Sequence, residues 1–220
     1  MLNEQEQATA HIAIDAVAAR GADAIKRAPG PGQAIDFVKS LHASIDKVVK
    51  GRRPEDPAPA CKPGCSACCS AKVEITDPEA LLIARHLGDL PPARRDELIE
   101  ALRRQSIARA EAPIAQRMVC AFLQASLCSI YEVRPSTCRK AHSLSLQACE
   151  NHEPLIPQNL EVSLQCDVLM AGTNRAFHAC NLPAAKSELT AAVFAALSID
   201  NAAECWFSGQ PLIPPLTTSV

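Results

Sequence analysis

The stretch Cys61-Lys-Pro-Gly-Cys65-Ser-Ala-Cys68-Cys69 decides how the fold is read. Its C-x3-C-x2-C-C spacing is too dense in thiols to serve packing alone. Pro63 and Gly64 suit a tight turn, and Gly64 gives the backbone access to positive φ. Thiolates of Cys65 and Cys68 can converge across such a turn on one ion or one cluster edge, with backbone N–H groups donating to the sulfurs. Cys61 reaches the same centre from the other side. Side chains of adjacent residues diverge, so Cys68 and Cys69 either face different metals or one of them bridges. That favours more than one metal atom.

Working outward, Cys120, Cys128, Cys138 and Cys149 recur downstream, the middle two around Ile130-Tyr131-Glu132-Val133-Arg134-Pro135. One zinc with four thiolates would leave half of these eight cysteines unused. Eight thiolates can hold two four-cysteine centres, a dinuclear thiolate cluster, or an iron–sulfur cluster beside another metal. The spacing differs from the ferredoxin run and from a finger of two cysteines and two histidines, so iron and zinc both stay open. Four thiolates around one zinc carry about −2 and call for nearby cations. Arg134, Arg139 and Lys140 stand close by in sequence. Arg134 and Arg139 read either as solvated surface charge or as groups that offset the cluster or receive an anionic partner. Tyr131, the only tyrosine, reads first as packing across the metal loops and second as a donor beside an open metal. His142 and His152 follow cysteines closely and are candidates to complete a coordination sphere, although hydrogen-bonding or surface roles are commoner.

The chain has 220 residues, eleven cysteines and a formal net charge of −2. The length fits one domain or two small ones, and the apolar content allows a real core. With one Trp, one Tyr and five Phe, that core is built mainly from Ala, Leu, Ile and Val. No basic block points to nucleic acid, and no apolar run is long enough to span a bilayer. The acidic, polar start has no signal-peptide pattern, so a reducing cytoplasm is the expected location. The odd cysteine count and the adjacent Cys68 and Cys69 favour metal over a disulfide scaffold. No Walker A loop, dinucleotide fingerprint, H-E-x-x-H or nucleophile elbow occurs, and no catalytic residue is assigned.

Helices frame the knot. Ala10, Ile14, Val17, Gly21 and Ile25 form one apolar stripe, weakened by Gly21. Pro29-Gly-Pro-Gly32 breaks the chain. Ala34, Val38, Leu41, Ile45 and Val48 form a cleaner second stripe. The proline-rich run from Arg52 to Pro63 delivers the chain to the knot as a loop. Val73 and Ile75 alternate as an extended lead-in. Asp77-Pro78-Glu79 then starts a helix, with the Asp77 carboxylate as cap, and Gly88 ends it. A longer helix from about Pro91 runs through Leu98, Leu102 and Ile107. Short helices, one from Pro135, fill the region of residues 120–149. A long helix spans about Asn159 to His178, with Val162, Cys166, Leu169, Thr173, Phe177 and Cys180 on one face. Cys166 and Cys180 there read as small hydrophobes, as does Cys205 beside Trp206. Further helices span about Lys186 to Leu197 and Ala202 to Phe207, and the tail Pro211–Pro215 is extended. The expected fold is all-α: an irregular multi-helix single domain over residues 1–220, around a cysteine-rich metal-binding loop core at 58–150.

The knot, Val119-Cys120-Ala-Phe-Leu, and Cys128-Ser-Ile-Tyr131-Glu-Val-Arg134-Pro135-x2-Cys138-Arg139 together resemble the YkgJ-like cysteine-cluster family, a zinc- or iron-chelating domain. The resemblance covers roughly residues 58–150. It implies eight metal ligands at Cys61, Cys65, Cys68, Cys69, Cys120, Cys128, Cys138 and Cys149. Ser66 stands where many members have glycine, which removes no ligand. At its cysteine core the family is similar to a flagellin lysine methylase with iron–sulfur, which implies a metal and points toward iron. Three functions follow. The first is a metal-binding protein whose cysteine cluster holds iron (an iron–sulfur cluster among the options) or zinc, with redox activity if iron is held. The second is a structural or metal-handling zinc protein acting through protein contacts. The third is a metal-dependent protein-modifying enzyme. The partner is an unidentified protein or small molecule, with no nucleic acid and no membrane insertion.

Overall fold

The computed structural model describes residues 3–113 and 115–214. Nine helices and four short strands follow in chain order among them. Helix α1 is Glu4–Lys26, α2 is Pro31–Lys50, strand β1 is Glu74–Thr76, α3 is Asp77–Gly88 and α4 is Pro92–Glu111. Strands β2 (Leu123–Gln124) and β3 (Leu127–Cys128) precede two short helices, α5 (Ser136–Lys140) and α6 (Leu146–Glu150). Helix α7 is Leu160–Ala179, β4 is Lys186–Glu188, α8 is Leu189–Ser198 and α9 is Ala202–Phe207. No helix among the described residues is long and apolar enough to cross a membrane. The protein is mostly helical, as expected, and among the described residues two small antiparallel sheets are added to the helices.

The helix signals act as the local chemistry requires. The Asn3 side chain accepts from the Glu6 N–H, and Glu6 returns the bond to the Asn3 N–H, closing the start of α1. The stripe of α2 is buried at Ala34, Val38, Leu41 and Ile45. Gly21 does more than weaken α1. A Cβ on Gly21 would stand 2.7 Å from the Ala176 Cβ, and one on Gly172 would stand 2.5 Å from the Val17 Cβ and 2.8 Å from the Ile14 carbonyl. The two glycines let α1 and α7 approach backbone to backbone. Gly172→Ala is expected to force them apart and to cost about 1–3 kcal/mol in a denaturant titration.

Helix α8 lies inside the fold, with Leu189, Ala192, Val193 and Ala196 buried against α3 and α4. One contiguous core runs from Ala22 to Leu212. Its aromatic centre stacks edge to face: Phe37 on Phe177 with centroids 6.0 Å apart, and Phe177 on Trp206 at 5.8 Å. The buried Trp206 indole donates to the Pro183 carbonyl at 2.6 Å, so its one polar atom is satisfied. Leu41, Ile45, Val162 and Cys166 form a smaller cluster between α2 and α7.

Three local readings change. The lead-in at Val73 and Ile75 becomes a paired strand, with Glu74 opposite Glu188, Ile75 opposite Ser187 and Thr76 opposite Lys186. The helix read from Lys186 starts only at Leu189, because residues 186–188 pair with β1 and the Glu188 carboxylate caps the Thr190 and Ala191 N–H groups. Ile107 is 48 % exposed, and the inner face of α4 continues from Leu98 and Leu102 to buried Arg109. Of the tail, residues 211–214 are described, with Leu212 buried in the core; Pro215 lies outside the described residues.

Asp77 is not the cap of α3. Thr76 precedes the helix, and Glu79 Oε2 accepts from both the Thr76 N–H (3.0 Å) and its hydroxyl (3.1 Å). Asp77 is buried beneath the tail, where burial pushes its carboxyl up to about 6 against a hydrogen bond from the Leu212 N–H. A carboxyl raised in the fold favours the protonated form. Its contribution is therefore complete below the ordinary value of 3.8 and is lost as pH rises through about 6. Asp77→Asn is expected to stabilise the protein by about 1–2 kcal/mol at neutral pH and to flatten that loss, as read from melts at pH 4 and pH 7.

Candidate metal centre

The knot is shaped by its own turns. The Cys65 N–H donates to the Lys62 carbonyl at 3.0 Å, closing a turn with Pro63 and Gly64 at its centre. Gly64 has φ +84°, the value that the third position of a type II turn requires. A 3₁₀ turn over Ala67–Ser70 follows, held by the Cys69 N–H on the Ser66 carbonyl (2.9 Å) and the Ala71 N–H on the Cys68 carbonyl (3.1 Å). It turns Cys68 outward, where it is exposed, while Cys69 is half-buried.

The later segments are laid onto this knot by named bonds. The Met118 N–H donates to the Ser70 carbonyl (3.0 Å) and the Cys120 N–H to the Cys69 carbonyl (2.8 Å). Arg117 straps the same turn, Nη2 donating to the Ala67 carbonyl and Nε to the Ser70 hydroxyl, both at 3.0 Å. From α4, Gln105 accepts from the Ala121 N–H at 2.9 Å and donates to the Val119 carbonyl, and Arg109 donates to the Met118 carbonyl at 2.7 Å. The β2–β3 hairpin then presents Cys128, pairing Leu123 with Cys128 and Gln124 with Leu127. Its flanks, Phe122 and Ile130, are buried in the main core. Cys138 sits on α5, whose first N–H, that of Ser136, donates to buried Glu79 at 2.7 Å. Cys149 sits on α6, which contacts the 3₁₀ turn, and the Ala60 N–H donates to the Ser143 carbonyl at 2.7 Å just before α6.

All eleven cysteines are free thiols. Among the eight grouped ones, several lie close enough for a charge on one to bear on another. Cys61 feels the charges of Cys65, Cys68 and Cys149. Cys69 feels Cys68, Cys120 and Cys138, and Cys138 feels Cys120, Cys68 and Cys128. The Cys69 thiol donates to Cys68, and with Arg117 and Arg134 nearby the Cys68 thiol falls to about 6, while Cys69 is raised correspondingly. Burial pushes Cys138 up to about 12 and raises Cys120 and Cys128. The thiolate form is thus favoured at Cys68, whereas burial favours the neutral thiol at Cys120, Cys128 and Cys138. Among the described residues, no three side chains of His, Cys, Asp and Glu already stand together as a finished cage for one ion. As a donor set the residues suit a thiophilic metal: sulfur only, none tied up in a disulfide, and carried on loops and short helices.

The cations divide. The Arg134 guanidinium lies 3.9 Å over the Tyr131 ring and bears on Cys68 and Cys128. Tyr131 is 61 % exposed, so it is a surface platform for Arg134 and not packing between loops. Arg139 is buried and bonded to Asp46 (2.7 Å), to the Arg134 carbonyl (3.0 Å) and to the Glu132 carbonyl. It braces the loop from behind. Lys140 pairs with Asp167 on α7. His142 has both ring nitrogens engaged, Nδ1 with the Lys140 carbonyl and Nε2 with the Asn159 N–H, each at 2.9 Å. His152 is exposed, at φ +54°. Cys166 is core, and Cys180 approaches the Ala22 carbonyl at 3.6 Å. Arg109, Arg117 and Gln105 are the residues that reading the sequence missed.

No curated protein and no solved structure matches the chain. One family model does, over residues 60–175, more than half of the 220 residues. It spans all eight grouped cysteines, and its description reads "Putative zinc- or iron-chelating domain". The chain belongs to this CxxCxxCC family.

Proposed function

We propose that the protein chelates more than one iron or zinc atom in two adjoining thiolate sites. Cys61, Cys65, Cys68 and Cys149 form one, Cys69, Cys120, Cys128 and Cys138 the other, and Cys68 stands at the junction. The single observation that carries this reading is that eight free thiols lie on segments folded onto one knot, with the Cys120 N–H on the Cys69 carbonyl at 2.8 Å on one side and α6, which carries Cys149, against the 3₁₀ turn on the other. A four-thiolate set is the ordinary complement of a zinc or iron site. When bound, iron supplies electron transfer and zinc a redox-silent structural clamp. The chain's own residues do the rest. Gly64 shapes the first turn, Arg117 and the Cys120–Cys69 bond hold the two sets together, and Arg134 and Tyr131 form a cationic, aromatic rim for an incoming partner. Arg139 acts behind that rim by fixing its loop. Val119 and Leu127 add exposed apolar surface beside the cysteines, which suits contact with a protein or small molecule. Metal binding is coupled to closing the loops, since ligands from the knot and from four later segments must be deprotonated and brought together. The helices on either side act as one unit with residues 58–150, a reading supported by the shared core.

Anaerobic purification with elemental analysis, sulfide assay and a visible spectrum tests the proposal. Two or more metal atoms per chain are expected. Iron with charge-transfer bands selects the redox form, and colourless protein with stoichiometric zinc selects the structural form. Purified folded protein that neither contains nor takes up either metal ends the reading.

A further inference from the structure

Arg109 is 7 % exposed, and two of its guanidinium nitrogens, Nε and Nη1, are buried with no hydrogen-bond partner. Only Nη2 is engaged, on the Met118 carbonyl. Glu188 forms an ion pair with Arg109 at 3.8 Å from Nε, too long for a hydrogen bond, and the other Glu188 oxygen caps α8. A buried guanidinium with idle donors is costly unless an anion answers it. The bond to the Met118 carbonyl places it two residues from Cys120, on the segment whose Cys120 N–H donates to the Cys69 carbonyl.

We propose that Arg109 is the internal counter-cation of the second thiolate site, with its unused N–H groups directed to the negative charge that metal loading creates at Cys120. Arg109 acts on the metal through Cys120 and is a positioning residue. This rests on the two-site reading above. Four thiolates around one divalent ion keep about two negative charges, and a dry cation behind one ligand lowers the cost of keeping them. Arg117 and Arg134 serve the exposed side of the cluster; Arg109 serves its protein side. Through Glu188, the same cation ties the site to the start of α8 and to the β1–β4 ladder.

The test is competition between full-length zinc-loaded protein and a thiophilic chelator, with zinc as the probe. Arg109→Met is expected to weaken zinc retention about 10–100-fold, as loss of an outer partner of a metal ligand does. Arg109→Lys, which keeps the charge but not the fork, is expected to lose less. Glu188→Gln keeps an oxygen to cap α8 and removes the opposing charge, so zinc should be held more tightly, by a few fold. A purely structural arginine gives another pattern: lower melting temperatures with zinc affinity within twofold of wild type, or Glu188→Gln weakening zinc as much as Arg109→Met. Either result overturns the proposal while leaving the thiolate sites standing. Should Arg109→Met fail to fold, the Lys and Glu188→Gln variants decide alone. A wild-type protein that holds no metal overturns both readings.

Discussion

Cys65→Ser and Cys68→Ser are each expected to lose at least half of the bound metal and to unfold about 10 °C or more below wild type. A site of this kind contributes folding free energy, because its ligands come from separate loops and short helices that the metal joins. Serine oxygen is a poor ligand for a thiophilic metal, so one exchange opens a four-thiolate site. A loss of about 3–5 kcal/mol corresponds to a fall of that size in a chain of this length. Cys166→Ala is the control. Cys166 is fully buried between α2 and α7 with Leu41, Ile45 and Val162, away from the knot. It should keep full metal content and lose only about 1 kcal/mol. Metal content measured beside a thermal melt separates the two classes. Full occupancy in both knot variants would refute their assignment as ligands.

Glu79→Ala should be nearly as damaging without touching a cysteine. Glu79 is 5 % exposed and joins three elements: Thr76 ahead of α3, the Ser136 N–H that starts α5, and His42 on α2 at 3.7 Å. Burial pushes its carboxyl up, but the nearby His42 ring and the bonds from Thr76 and Ser136 outweigh that and hold it below its ordinary 4.5. Removing it strands these donors, at a cost of about 3–5 kcal/mol. It also frees the start of α5, two residues before Cys138, so metal content should fall as well. The pH dependence follows from the depressed value. Stability is fully present above the unfolded carboxyl's range and is lost as pH falls through the folded value. Acid unfolding of the wild type below about pH 4 should therefore be blunted in Glu79→Ala, measured by melts across pH 3 to 6. An unchanged acid limb would remove Glu79 from this role.

The long helices were legible because each had a regular stripe and a punctuated end. Pro29 and Gly30 fall in the break between α1 and α2, Pro31 opens α2, and Gly88 closes α3. The turn at Gly64 was legible for the same reason: proline then glycine leaves few alternatives. The β2–β3 hairpin was not. Its two-residue turn uses Ala125 and Ser126 at φ +46° and +64°, positions where Asn-Gly is the usual signature. Tertiary pairing, with no alternation in Lys186-Ser-Glu188 to announce it, also hid β4. The cations of the site show a different failure. Nearness in sequence pointed to Arg134, Arg139 and Lys140, yet Arg139 turns to Asp46 and Lys140 to Asp167. The inward groups, Gln105 and Arg109, lie seven and eleven residues beyond Leu98. Had the buried stripe of α4 been continued through polar residues instead of diverted to apolar Ile107, it would have reached both.

X-ray absorption at the metal edge of the as-isolated protein tests the central claim most directly. The account predicts a first shell made of sulfur, about four scatterers per metal at about 2.3 Å. A shell dominated by nitrogen and oxygen would contradict it.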